Sequence, residues 1–168
     1  FDEVWGGTAF STNHNVTISA SSKKTATMLS LGYLDQGSLV DNAGYKRFNV
    51  NFNNTFKFSD RLKFTTAVLG SYSKNDALPD RIYHIYQLSP LAPARDENGE
   101  LKLYPTPNES LVTNPLCEIQ NNQNSADEYG VIGSAALDWN IWDGLSYKFS
   151  VGLDYSNTNK GVYQGSDT

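Results

Sequence analysis

One stretch limits the folds open to this chain more than any other: residues 45–72, where two alternating runs flank Ser59-Asp60-Arg61. In the first run Phe48, Val50, Phe52, Phe56 and Phe58 share one parity, and Arg47, Asn49, Asn51, Asn53 and Thr55 share the other. Asn54 alone breaks the apolar row. Successive side chains of a strand point to opposite faces, so this is a β-strand with one apolar face and one face of amides, hydroxyls and a charge. A helix would scatter the phenylalanines around its circumference. The second run repeats the pattern with Leu62, Phe64, Val68 and Tyr72, weakened by Ala67 and Leu69 on the other parity. The two runs make a hairpin. Strands of soluble domains usually span about 5–6 residues, whereas this pattern lasts about twice as long, matching the roughly 9–11 tilted residues of a membrane-crossing strand.

The same alternation recurs along the chain and predicts strands over 13–21, 25–34, 45–58, 62–74, 128–142 and 145–156. Val16, Ile18 and Ala20 oppose Asn15, Thr17 and Ser19; Leu29, Leu31 and Tyr33 oppose Ser30 and Gly32. Near the end, Tyr129, Val131, Ala135, Leu137, Trp139 and Ile141 alternate with Gly130, Ser134, Asp138 and Asn140, and Leu145, Tyr147, Phe149, Val151, Leu153 and Tyr155 with Ser146, Lys148, Ser150, Gly152 and Asp154. The expected fold is all-β: a segment of an antiparallel transmembrane β-barrel, six long strands in three hairpins. Asp138, Lys148 and Asp154 all fall on the polar parity, which a water-filled lumen accepts; a lipid face would penalise a midplane Lys or Arg by about 2–4 kcal/mol.

The connections alternate in length. Ser22-Lys23-Lys24, Ser59-Asp60-Arg61 and Asp143-Gly144 are short, while 36–44 and the proline-rich 75–127 are long. Outer-membrane barrels keep short turns in the periplasm and long loops outside, so 75–127 is expected to be one long extracellular loop, with Asp96-Glu97-Asn98-Gly99 a tight turn within it. Phe56, Phe58, Trp139 and Tyr147 then lie toward the periplasmic interface, and Tyr33, Tyr72 and Tyr155 toward the outer one.

Composition agrees with a sheet of two unlike faces. Hydrophobic residues make up 39% of the chain and charged residues 18%, the latter below the roughly 25% of soluble domains. A soluble β-sandwich with long polar loops has a similar composition, and a carbohydrate-binding module of that kind is the alternative. A net charge of −5 without a Lys/Arg cluster excludes nucleic acid as a partner. The single cysteine, Cys117, precludes an internal disulfide or thiolate metal cluster, and beside Asn114-Pro115 it is expected in a loop, with no helix N-terminus to activate it. His14 and His84 have no metal-ligand spacing. With no nucleophile beside a base, no metal set and no phosphate loop, no enzyme and no cofactor is expected.

For ligand contact the candidates are Arg81, Tyr83, His84 and Tyr86, because cationic and aromatic side chains on an exposed loop stack on sugars or hold peptide groups. Lumen-facing candidates are Arg47, Asn49, Asn51, Asp138, Asn140 and Lys148, with a mainly structural role toward a plug.

Several stretches resemble, in order and spacing, the early barrel of SusC/RagA-type TonB-dependent outer-membrane transporters. They are Asn13-His14-Asn15-Val16-Thr17-Ile18-Ser19, Leu29-Ser30-Leu31-Gly32-Tyr33-Leu34-Asp35-Gln36, Tyr45-Lys46-Arg47-Phe48 and Leu62-Lys63-Phe64, then Ser89-Pro90 to Pro93, Asn114-Pro115, and Gly144-Leu145 with Gly152-Leu153-Asp154-Tyr155. The resemblance implies a barrel-wall segment of a bacterial outer-membrane importer of glycans or peptides, set in the outer-membrane bilayer. It implies a SusD-like surface lipoprotein as lid, and TonB acting through a segment outside this chain, with the plug domain also outside it. Six strands would leave two open edges, which lipid does not tolerate, so the chain is expected to be part of a larger barrel.

Overall fold

The computed structural model describes residues 2–78, 81–108 and 110–166. Six strands form one antiparallel sheet in sequence order: β1 (Ser11–Ser21), β2 (Thr25–Gly37), β3 (Gly44–Ser59), β4 (Leu62–Ala77), β5 (Gln123–Trp142) and β6 (Leu145–Tyr163). A four-residue helix α1 (Asp2–Trp5) precedes the sheet; a 3₁₀ helix (Ile82–Tyr86) and α2 (Pro115–Asn121) lie between β4 and β5. The sheet does not close on itself. No helix among the described residues is long and apolar enough to cross a membrane.

Register puts every apolar row on the same side. Leu29 pairs with Phe52, Phe52 with Val68, Phe64 with Leu137, and Leu137 with Phe149. Residues directly opposite one another share a face, so these pairings carry one apolar surface across the sheet. The opposite face carries Asn15, Gly32, Asn49, Ser71, Gly130 and Ser156, again in direct succession. A sandwich would need a second sheet packed about 10 Å above the apolar face, and among the described residues there is none.

The strands run beyond the alternating segments. β4 and β5 continue to Ala77 and back to Gln123, and β2 and β3 take in Gln36, Gly37 and Gly44, which shortens the two long connections to 38–43 and 78–122. Ladder hydrogen bonds are made by backbone whatever the side chains, whereas alternation marks only the part of a strand whose one face is apolar. Phe58 and Ile141 leave the apolar row, because the register shifts between Lys57 and Ser59 and between Asn140 and Trp142. Such bulges re-aim the extra side chain; the Phe58 ring packs edge-on against Phe56 at 4.8 Å. Gly144 closes the last hairpin at φ 93°, where other residues are strained.

The buried apolar side chains lie outside the sheet. Val4, Val40, Ile85, Leu116 and Ile119 form a core contributed by α1, the 38–43 loop, the 3₁₀ helix and α2, with Trp5, Ile82, Ala94 and Leu101 packed on it. This cap stands at the long-loop end of the sheet. Its stability is therefore separable from that of the ladder: Leu116→Ala should cost the cap about 2–4 kcal/mol, raising hydrogen exchange across 82–121 while β2–β4 amides keep their protection.

Candidate functional site

Asn114 organises the cap. It is 1% exposed, and its Oδ1 accepts the Leu116 amide at 3.1 Å, capping α2 with Pro115 in the first helical turn. Its Nδ2 donates to the carbonyls of Ala94 and Lys102, both at 2.9 Å, and so ties the helix to the arm that precedes it. That arm folds back on itself through the Arg95 and Leu101 bridge. At its tip the Asp96 carboxylate accepts the amides of Asn98 and Glu100, each at 2.9 Å, and Gly99 adopts φ 86°. Arg95 closes the assembly by donating to Glu3 of α1 at 3.1 Å.

The 3₁₀ helix separates the four residues proposed for ligand contact into two groups. His84 is buried; its Nδ1 accepts the Thr113 amide at 3.2 Å and lies 2.9 Å from the Thr113 hydroxyl. Arg81 reaches toward Glu118, 3.6 Å away, whose carboxylate is buried on α2 and also accepts from Asn122 and from Thr113. A buried carboxylate needs such a set of donors and a countercharge. Arg81 and His84 thus hold the cap together. Tyr83 and Tyr86 point outward, 52% and 71% exposed. Residues three apart eclipse in a 3₁₀ helix, which sets the two phenols on one edge, and the Tyr83 ring is braced edge-on by His84 at 4.7 Å.

Two sequence expectations need correction here. Residues 81–86 are not a uniformly exposed loop, because the 3₁₀ turn buries His84 and Ile85. Cys117 is not in a loop: it lies buried on α2, three residues after the capping Asn114. Asn-Pro followed by Leu116, Cys117 and Ile119 is the start signal of a short apolar helix, and it was the clue to both α2 and the buried Glu118.

The six residues expected to face a lumen share the polar face of the sheet. Arg47 stands at the cap end and Asn49 and Asn51 below it; Asp138, Asn140 and Lys148 lie near the short turns. Asp138 accepts an ion pair from Lys63 at 3.2 Å and another from Lys148 at 3.7 Å. Between these ends the face carries amides and hydroxyls, interrupted by the row Leu69, Ile132 and Asp154: Asn53 donates to Asn51 at 2.8 Å, and Thr17 and Ser30 hydroxyls meet at 2.7 Å. Asn15 and Asn49 close over Gly32, where a Cβ would come within 2.7–2.8 Å of their amides. Among the described residues, no group of three or more His, Cys, Asp or Glu side chains is placed to hold a metal ion.

With this geometry, the chain is similar in fold to the RagAB peptide importer in its "closed-closed" state, at a TM-score of 0.71 and 18% identity over 93% of this chain. Against the "open-open" state the TM-score is 0.69, with the same identity and coverage. The fold is that of a β-barrel wall segment whose sheet is open in these residues. The chain spans 18% of the length of each of these matched chains. No protein-family model matches it, and no curated protein matches it in sequence.

If Asn114 organises the cap as described, Asn114→Ala removes a helix cap and two buried hydrogen bonds at once. The expected loss is about 2–4 kcal/mol of cap stability. Asn114→Asp keeps the cap acceptor but loses both donors, and should fall between the two in limited proteolysis of 87–113.

Proposed function

We propose that the chain is a wall segment of a TonB-dependent outer-membrane importer of peptides or glycans. The observation that carries this reading is the unbroken apolar face, which passes through six strands without a second layer to cover it and ends in aromatic rows. Tyr33, Phe48, Tyr72 and Tyr129 are direct cross-strand neighbours at the cap end; Trp139 pairs with Tyr147 near the short turns. At about 3.3 Å per residue and about 40° of tilt, Tyr129 and Trp139 stand about 25 Å apart along the membrane normal, the height of the apolar band of a membrane barrel. The matched structures are of an importer, and the resemblance in sequence points the same way.

In this reading the apolar face meets lipid, the short turns are periplasmic and the cap is extracellular. Arg47, Asn49, Asn51, Asp138, Asn140 and Lys148 line the interior, where a plug contributed by other parts of the protein would accept from the Arg, Asn and Lys side chains and donate to Asp138. Tyr83 and Tyr86 form the platform on which a peptide or sugar stacks, with Arg81 and His84 as its supports. A SusD-like surface lipoprotein closes over the extracellular end, and TonB acts through a segment outside these residues. Similarity in fold to a peptide importer favours peptides over glycans.

The intact natural protein, extracted from outer membranes, should require detergent and show a gel band that shifts only after boiling. Solubility as a monomer without detergent would overturn the importer reading. Tyr83→Ala/Tyr86→Ala should leave that band shift unchanged while weakening capture of the transported ligand roughly tenfold or more, measured by calorimetry against peptide and glycan pools.

A further inference from the structure

One row above the aromatic girdle, on the same outward face, stands a second cross-strand row. Asp35 pairs with Lys46, Lys46 with Lys74, and Lys74 with Asp127. Two lysines directly opposite each other repel, and their ammonium groups remain half open to solvent. The flanking carboxylates are tied down from below. The Tyr33 hydroxyl donates to Asp35 at 3.1 Å, and the Tyr72 hydroxyl donates to Asp127 at 2.7 Å. Lys46 keeps one contact to Asp35 and Lys74 one to Asp76, both at 3.5 Å. An ammonium has three donors, so each lysine has donors to spare.

The cap overhangs this row. Asn42 of the 38–43 loop, Ile119 of α2 and Asn122 just after it line a cleft of about 480 Å³ together with Asp35, Lys46, Lys74 and Asp76 of the sheet. Asn42 ties this loop to α2 by donating to the Ile119 carbonyl at 3.1 Å. The cleft therefore sets two facing lysines, each beside one carboxylate, immediately above the girdle, with Asp41 and Asp76 also in its lining.

We propose that Lys46 and Lys74 hold the phosphate of an outer-leaflet lipid headgroup in this cleft. The proposal rests on the barrel reading, which puts the girdle at the membrane surface and the lysine row at headgroup depth. A phosphate set between the two ammonium groups relieves their repulsion and takes up their unused donors. The lipid's chains then lie against Tyr33, Phe48 and Tyr72 below.

The test uses the intact natural protein in mixed micelles holding equal phosphatidic acid and phosphatidylcholine, with bound lipid read by native mass spectrometry. Wild type should retain phosphatidic acid preferentially. Lys46→Gln/Lys74→Gln should reduce that retention by roughly ten-fold or more, about five-fold for each lysine. Lys160→Gln is the control: Lys160 stands at nearly the same height on the polar face, opposite Ala126, and its loss should change nothing. Equal retention by the double variant, or an equal fall with Lys160→Gln, would overturn the proposal. Displacement by millimolar inorganic phosphate would do so too, because the site would then be one for the free anion. The boiling-dependent band shift separates the two readings. A protein that shifts but shows no lysine-dependent retention loses only the lipid site, whereas one that never shifts loses the barrel.

Discussion

The structure depends on a sheet whose apolar band, among the described residues, has no second layer packed on either face. In a soluble domain an apolar sheet face is covered by a helix layer or a second sheet, and the buried side chains between the layers supply most of the stability. Here the ladder holds its backbone groups together through direct strand pairing from β1 to β6, while Val16, Ile18, Val68, Val131, Val151 and Leu153 remain largely open. Such a sheet is stable only where its surroundings take the place of a layer. A bilayer can do this for an apolar face, and hydrated side chains for a polar one.

That constraint divides the chain into two kinds of structure. Within the apolar band, aliphatic and aromatic residues predominate outward and Asn, Ser, Thr and Gly inward, with Met28, Leu69 and Ile132 as inward exceptions. Past the girdle the strands carry charge on both faces, and the chain has the freedom to build a conventional small core. The cap uses it. α1, the 38–43 loop, the 3₁₀ helix and α2 come from three separate connections, and Gly165, beyond β6, also reaches it by donating to the Asn122 side chain at 3.1 Å. A cap held by several segments at once fixes where Tyr83 and Tyr86 stand on its surface.

Asn54 illustrates how the apolar face tolerates an exception. It is the one amide in the β3 row, and its Oδ1 accepts the hydroxyl of Thr27, its cross-strand partner, at 2.8 Å. Thr66 stands opposite on the other side. Pairing within the sheet satisfies the polar atom locally, so the surface presented outward stays largely apolar.

Strand alternation in the sequence sufficed to assign the all-β class, the six strands, their hairpin pairing and the faces of the side chains between the bulges at Phe58 and Ile141. Period-two patterning is a local property, and a register shift of one residue would have sent Phe48, Val50 and Phe52 to the polar side. The alternation could not mark where strands end once both faces are wet, and so the extensions to Gly37, Ala77 and Gln123 came from the ladder alone. Nor could it show the cap. His84, Thr113 and Glu118 meet only because the connection folds back between β4 and β5, and a buried hydrogen-bond network leaves no period in the sequence. The local motif Asn114-Pro115 carries a helix-start signal, although beside Cys117 it is read from sequence as a loop. That its amide would fasten Ala94 and Lys102, and that Lys46 and Lys74 would stand side by side beneath α2, was decided by tertiary structure, because both depend on contacts between segments far apart in the chain.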